Sequence, residues 1–144
     1  MGLEDLDYWQ RLQDLKIYSQ ERRRERYALI FLWKLSQGLV TGYNVTFSTS
    51  VRRGRTITPC QIVSSAPAAV RRARECSLSV KGARIFNLLP ASIRNLNSNH
   101  VDTFKGALDT FLEQVPDQPT VGGLHRAAET NSLYHQIQML KVAL

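Results

Sequence analysis

The sequence predicts a mainly α protein, a single compact helical domain with a small β-hairpin in its basic middle. Apolar side chains recur at helical spacing near both ends of the chain. Glycines, prolines, serines and threonines interrupt that pattern between residues 39 and 69 and exclude a long helix there. Apolar residues make up 43% and charged residues 22% of the 144 residues, as in a folded globular domain.

Two helices are predicted in the first third of the chain. The apolar row of the first, over residues 4–15, consists of Tyr8, Leu12 and Leu15. The second helix is expected to run from Gln20 to about Gln37. Ser19 is its predicted N-cap, and Gly38 is its predicted C′ residue because glycine adopts a left-handed conformation at little cost.

The faces of the second helix follow from the spacing of its apolar residues. We expect the stripe that faces the core to contain Ala28, Phe31, Leu32 and Leu35. We expect the opposite, outward face to contain Arg22, Arg26, Ile30 and Trp33. Such a helix would rest on a core and still present arginines to solvent.

The middle of the chain is less regular. Residues 45–47 and 56–58 are predicted to be extended and to pair around an arginine-rich turn at 51–55. Residues 68–75 are predicted to be helical. The next helical face comprises Leu78, Gly82, Ile85, Phe86 and Leu89. Pro90 closes that segment because it cannot continue the hydrogen-bond ladder.

The last part of the chain contains the most regular predicted helix. Asp102 is its expected N-cap, and Pro116 stops it. Its apolar stripe comprises Phe104, Leu108, Phe111, Leu112 and Val115. A weaker final helix would use Leu133, Ile137, Leu140 and Leu144. We therefore expect a helical domain over residues 1–120, followed by a linker and a weak C-terminal helix over 121–144.

The net charge of +7 is concentrated in the middle of the chain. Residues 1–50 have a net charge of +1, residues 51–100 of +8 and residues 101–144 of −2. Of the 19 cationic residues 14 are arginines, whose planar guanidinium suits phosphate. This distribution favours an anionic partner, above all RNA or DNA.

The sequence lacks the residues that catalysis on nucleic acid requires. A nucleotidyl transferase needs two carboxylates that converge on metal ions, and the chain contains no Asp-Asp pair. Cys60, Cys76 and His100 match no zinc-ligand spacing. We therefore expect no enzyme activity of this chain alone, no metal and no cofactor.

Membrane and secretory signals are missing as well. No apolar run approaches the roughly 20 residues of a membrane helix. The acidic first residues lack the basic-then-apolar order of a signal peptide. We expect no membrane partner and an intracellular location, in the nucleus or the cytoplasm.

Three basic clusters are the candidate sites. The predicted nucleic-acid-binding residues are Arg22, Arg23, Arg26, Arg52, Arg53, Arg55, Arg71, Arg72, Arg74, Lys81 and Arg84. Glu21 and Glu25 are expected to offset part of the first cluster, whereas the other two clusters have almost no acid nearby.

Three blocks of the sequence resemble the region downstream of the polymerase domain in LINE-type, jockey-like non-LTR retrotransposons. Residues 21–39 read ERRRERYALIFLWKLSQGL, and residues 77–90 read SLSVKGARIFNLLP, similar to an Arg-x-x-Asn-x-Leu-Pro element of that family. Residues 101–112 read VDTFKGALDTFL and precede a PDQP turn. The blocks occur in the family's order and cover roughly residues 11–120.

The resemblance implies a C-terminal fragment of an RNA-directed DNA polymerase with endonuclease, one that grips template and primer without catalysing. The rest of a reverse transcriptase would then be a further partner. Two alternatives remain open. In the first, the chain is a helical protein-interaction module whose arginines only confer solubility. The apolar stripes at residues 104–115 and 133–144 would then bind the protein partner. In the second, the chain is a decayed copy without function.

Overall fold

A computed structural model of the chain describes residues 2–43, 45–62, 64–119 and 131–143. The helices are α1 (Tyr8–Asp14), α2 (Gln20–Ser36), α3 (Ala68–Glu75), α4 (Ala83–Leu88), α5 (Ala91–Arg94), α6 (Val101–Leu112) and α7 (Leu133–Ala143). The strands are β1 (Thr46–Ser50) and β2 (Gly54–Thr58), a 3-10 turn spans Leu3–Asp5, and a π-helical turn, Leu78–Gly82, leads into α4. The predicted fold class is confirmed: a mainly α, single compact domain with one small hairpin.

The ends of α2 follow the predicted capping chemistry. The Ser19 hydroxyl accepts a hydrogen bond from the Arg22 backbone N–H at 3.2 Å. At the other end, Gly38 has a φ of +70°, as a C′ glycine does. Helix α1 begins later than predicted because Asp7 and Gln10 form a capping box that starts the helix at Tyr8.

The predicted faces of α2 are only partly correct. Leu32 and Leu35 lie at the core as predicted, but Ile30 and Trp33, which were expected to face outward, are buried as well. Leu29, Leu32 and Trp33 are buried in the core, and the Trp33 ring stacks on Phe104 with ring centroids 4.8 Å apart. The buried row continues towards the N-terminus of the helix through Arg22 and Glu25. Because two charged residues occupy core-facing positions, the apolar spacing alone predicted a stripe that only partly overlaps the buried face of the helix.

The predicted hairpin is present and is fastened to the helices behind it. Strands β1 and β2 pair antiparallel, with Phe47 opposite Ile57. The Ile57 backbone N–H donates to the Asn87 side-chain oxygen at 2.8 Å, and the Asn87 amide donates back to the Ile57 carbonyl at 2.7 Å. Gly54 has a φ of +68°, and a Cβ there would collide with the Asn95 side chain. The hairpin therefore sits directly on α4 and α5.

Helix α6 has the predicted stripe but a different start. Phe104, Leu108 and Leu112 are buried, and Phe111 is half-buried. Asp102 is not the N-cap, because the helix already begins at Val101 and the Asp102 carboxylate accepts from Lys105 at 3.0 Å instead. The strongest stripe in the sequence thus forms a central part of the core.

Helix α7 is present at the predicted place and belongs to the same packed body. Leu133 and Ile137 are buried in the core together with α4 and α6 residues. The predicted linker falls largely on residues 120–130, which lie outside the described residues, as does Leu144. None of the described helices is both long and apolar enough to cross a membrane.

Candidate nucleic-acid interface

Helix α3 presents its arginines entirely to solvent. Every residue of α3 is exposed, including Arg71, Arg72 and Arg74. No carboxylate of the described residues lies within 4.0 Å of these three guanidinium groups. The Ser77 hydroxyl donates to the Arg74 carbonyl at 2.6 Å and closes the C-terminal end of the helix. The helix is therefore a surface element whose arginine side chains have no acidic partner among the described residues.

The hairpin tip, residues 51–53, is a second exposed basic group. Arg52 and Arg53 are exposed and have no ion pair with any described carboxylate. Cys60, just beyond β2, donates its backbone N–H to the Ser79 carbonyl at 3.1 Å, which places the base of the hairpin beside the turn after α3. The tip and the turn after α3 thus lie towards opposite ends of β2, a strand of five residues.

Arg55 belongs to the same sequence cluster but has a structural role. Its guanidinium donates to the Ser36 hydroxyl of α2 at 3.2 Å, and its backbone N–H donates to the Asn95 side chain at 2.7 Å. The side chain is half-buried. Arg55 therefore fastens the hairpin to α2 and α5.

Arg22 is enclosed within the protein. Its side chain is 0% exposed, and its guanidinium donates to the backbone carbonyls of Val115 at 3.1 Å and Pro116 at 2.5 Å. Burial lowers the Arg22 pKa, against the opposing effect of Asp117, whose carboxylate lies 3.9 Å away. The expectation that Arg22 points outward is wrong, because the chain after α6 needs this donor for its backbone carbonyls.

Arg26 is held by α6. It forms a two-pronged pair with Asp109, with both N–O distances at 2.6 Å. These hydrogen bonds, which Arg26 donates to the Asp109 carboxylate, raise the Arg26 pKa. Of the α2 site residues, only Arg23 is exposed, and the neighbouring Arg24 is exposed as well.

Lys81 is neutralised by the two acids that were expected to offset the α2 arginines. Its ammonium lies 3.4 Å from a Glu21 carboxylate oxygen and 3.0 Å from one of Glu25. Burial lowers the Lys81 pKa, but the two carboxylates outweigh it and the net pKa is raised. Arg84, one turn further along, is exposed. Glu21 and Glu25 therefore pair directly with Lys81, and their charges also act on Arg22 as expected.

Glu25 joins this pair to α7. Its second carboxylate oxygen accepts from the Leu133 backbone N–H at 2.8 Å, which satisfies a donor at the start of that helix. Burial raises the Glu25 pKa, although the Leu133 hydrogen bond and Lys81 oppose the shift. The charged residues of α2 are thus used to join α6, α7 and the π-helical turn.

One basic residue was missed by the sequence analysis. Arg94, the last residue of α5, is 8% exposed and borders a cavity beneath the hairpin tip. It stands alone in the sequence, outside the three clusters. Only the tertiary structure brings it next to Arg52 and Arg53, which border the same cavity.

Within the described ranges, no three histidine, cysteine, aspartate or glutamate residues are grouped as metal ligands. Cys60 and Cys76 are exposed free thiols. A comparison with known protein families, characterised proteins and solved structures found no significant match to the chain.

Proposed function

We propose that the chain binds nucleic acid through the phosphate backbone, with little base readout, and does not catalyse. The basic surface consists of Arg52, Arg53, Arg71, Arg72 and Arg74. The observation that carries the proposal is that these five arginines are exposed and that no described carboxylate pairs with them. Unpaired surface arginines are available to neutralise phosphates and release condensed counterions.

Two arginine groups attached near opposite ends of β2 suit an extended anion better than a compact one. A single phosphorylated small molecule would reach one group only. The spacing therefore favours a strand or duplex as the partner.

The proposed parent is a retrotransposon reverse transcriptase, of which this chain would form a non-catalytic template- or primer-gripping segment. This part of the proposal rests on the resemblance of residues 11–120 to that family. The interaction-module alternative is less well supported, because Phe104, Leu108, Leu133 and Ile137 of its two apolar stripes are used in the core.

The test is the salt dependence of oligonucleotide binding. Parent and an Arg71→Ala, Arg72→Ala, Arg74→Ala variant would be titrated with a fluorescent duplex over a range of salt concentrations. Each phosphate contact contributes a slope of about −0.9 in log affinity against log salt, so the variant should lose roughly 2–3 units of slope. Its melting temperature should stay close to the parent's, because α3 buries no side chain.

A matched variant with lysine at the same three positions separates charge from other effects. It keeps the cations and should retain most of the slope, whereas a loss equal to that of the alanine variant would point to a role other than charge neutralisation. A parent that shows no binding at low salt would overturn the proposal. Equal slopes for parent and alanine variant would remove α3 from the interface.

A further inference from the structure

The cavity beneath the hairpin tip is polar and basic. It lies between β2 and helices α4 and α5, has a volume of about 540 Å³, and is bordered by Arg52, Arg53, Thr56, Thr58, Asn87 and Arg94 among others. None of the acidic residues in the described part of the chain borders it. The cavity is therefore a concave site of positive potential, which an anion would enter favourably.

Arg94 is positioned at this cavity by backbone carbonyls. Its Nε donates to the Leu89 carbonyl at 2.8 Å, and its Nη1 donates to the Arg55 carbonyl. Its remaining nitrogen, Nη2, has no hydrogen-bond acceptor among the described residues. The Arg94 guanidinium is thus held in one orientation, and its Nη2 donates to no described residue.

The charge of Arg94 is not balanced within the described part of the chain. The other two deeply buried charged side chains, Arg22 and Glu25, each have an opposite charge within 4.0 Å, but Arg94 has none. Its pKa is lowered by burial alone, with no carboxylate to oppose the shift. Buried charges are normally paired, because an uncompensated one is costly. Arg94 reaches solvent through the cavity, and an anionic ligand bound there would supply the missing opposite charge.

The hydrogen-bond donors that line the cavity favour phosphate as the ligand. A guanidinium fork binds phosphate oxygens with directed, charge-assisted hydrogen bonds, and two further arginines stand at the rim. The Thr56 hydroxyl already donates to the Ser48 carbonyl at 3.4 Å, and the Asn87 amide already donates one N–H to the Ile57 carbonyl. The arginines and the Thr58 hydroxyl are therefore the main donors left for a ligand. The volume lies in the range of small-molecule sites, so the phosphate can carry a sugar.

We propose that this cavity is a discrete site for one phosphate group of a nucleotide unit, bound by Arg94 at its wall and by Arg52 and Arg53 at its rim. This inference extends the proposed function, on which the choice of a nucleotide rests, from a diffuse surface to a single defined contact.

Ala91 offers a way to test the site without removing Arg94. Ala91 is exposed, begins α5, borders the cavity and lies three residues before Arg94, on the same side of the helix. An Ala91→Glu variant would place a carboxylate where the phosphate is proposed to bind. Ala91→Gln is the matched control, with the same size and no charge.

The experiment is a titration of the full chain with inorganic phosphate, followed by the NMR signals of the Arg94 Nε–H and the Arg55 amide. Ionic strength is kept constant with chloride. The parent and Ala91→Gln should show a saturable shift, and Ala91→Glu should bind phosphate at least about tenfold more weakly. No saturable shift in the parent, the same shift with chloride alone, or equal affinities of the glutamate and glutamine variants would overturn the site.

A second arm identifies the source of the phosphate. The same oligonucleotide would be compared with and without a 5′ phosphate in parent, Ala91→Glu and Ala91→Gln. If Ala91→Glu lowers affinity only for the phosphorylated strand, the site binds a terminal phosphate. If it lowers affinity for both strands, the site binds an internal phosphate. If Ala91→Glu lowers affinity for neither strand, the oligonucleotide is not the source of the phosphate, and a free phosphate compound is.

The two proposals can fail separately. Oligonucleotide binding that depends on the α3 arginines, together with no response to phosphate, overturns the cavity site alone. A phosphate response that Ala91→Glu abolishes, together with no oligonucleotide binding at low salt, overturns the proposed function alone.

Discussion

Helices α2 and α3 both contain runs of arginine, but the structure uses them in opposite ways. On α2, Arg22 and Arg26 are joined to the chain that follows α6 and to α6 itself. On α3, three arginines face solvent, and no carboxylate in the described ranges pairs with them. The difference is one of surroundings: α2 crosses the core, whereas α3 buries no side chain and contacts the turn after it. A run of arginines therefore identifies a binding surface only where the helix itself is peripheral.

The largest expected effect is at Arg22. Arg22→Met fills similar space but leaves the Val115 and Pro116 carbonyls without their donor, and should lower the free energy of unfolding by roughly 3–5 kcal/mol. Urea denaturation measures this loss. Arg22→Lys is the control for charge, and we expect it to be destabilising too, because an ammonium cannot reproduce the guanidinium fork. If the free energy of unfolding of Arg22→Met lies within about 0.5 kcal/mol of the parent's, the structural role of the α2 arginines is contradicted.

Arg26 should give an intermediate effect, because its pair with Asp109 is partly exposed. In a double-mutant cycle with Arg26→Gln and Asp109→Asn, the coupling energy should be about 0.5–1 kcal/mol and should fall at high salt. The single Arg26→Gln variant should leave oligonucleotide affinity nearly unchanged. A drop in affinity as large as that of the α3 variant would place Arg26 in the interface after all.

The smallest effect is a change in pH dependence caused by Glu25. Because its folded-state pKa is raised, its contribution to stability is complete below the ordinary glutamate pKa of about 4.3 and is lost as pH rises through the raised value. Glu25→Gln keeps an acceptor for the Leu133 N–H but does not titrate. The stability of the parent minus that of the variant should therefore decrease with rising pH over this interval.

Urea denaturation of both proteins at a series of pH values measures that difference. Glu21→Gln, which removes the other carboxylate beside Lys81, is the control for the loss of one charge there. A stability difference that increases with pH would mean that the ion pair with Lys81, rather than burial, dominates at Glu25.

Local chemistry accounts for the parts of the fold that the sequence predicted correctly. The Ser19 cap and the Gly38 end of α2 depend on neighbours within a few residues, as do the strands on either side of the arginine-rich turn. The α6 stripe was also recognised, because its core-facing positions are all apolar. Such features can be read from residue type and spacing without knowledge of the partner surface.

The sequence by itself thus determined the fold class, most element positions and which segment concentrates positive charge. Only the tertiary structure decided which cations are available, because availability depends on contacts across the chain: Arg22 meets carbonyls 93 and 94 residues away, and Lys81 meets Glu21 60 residues away. The same long-range packing brought the isolated Arg94 beneath the hairpin tip, beside arginines some 40 residues earlier in the chain. Charge patterns along a sequence report how many cations a segment has, and burial against distant backbone decides which of them remain for a ligand.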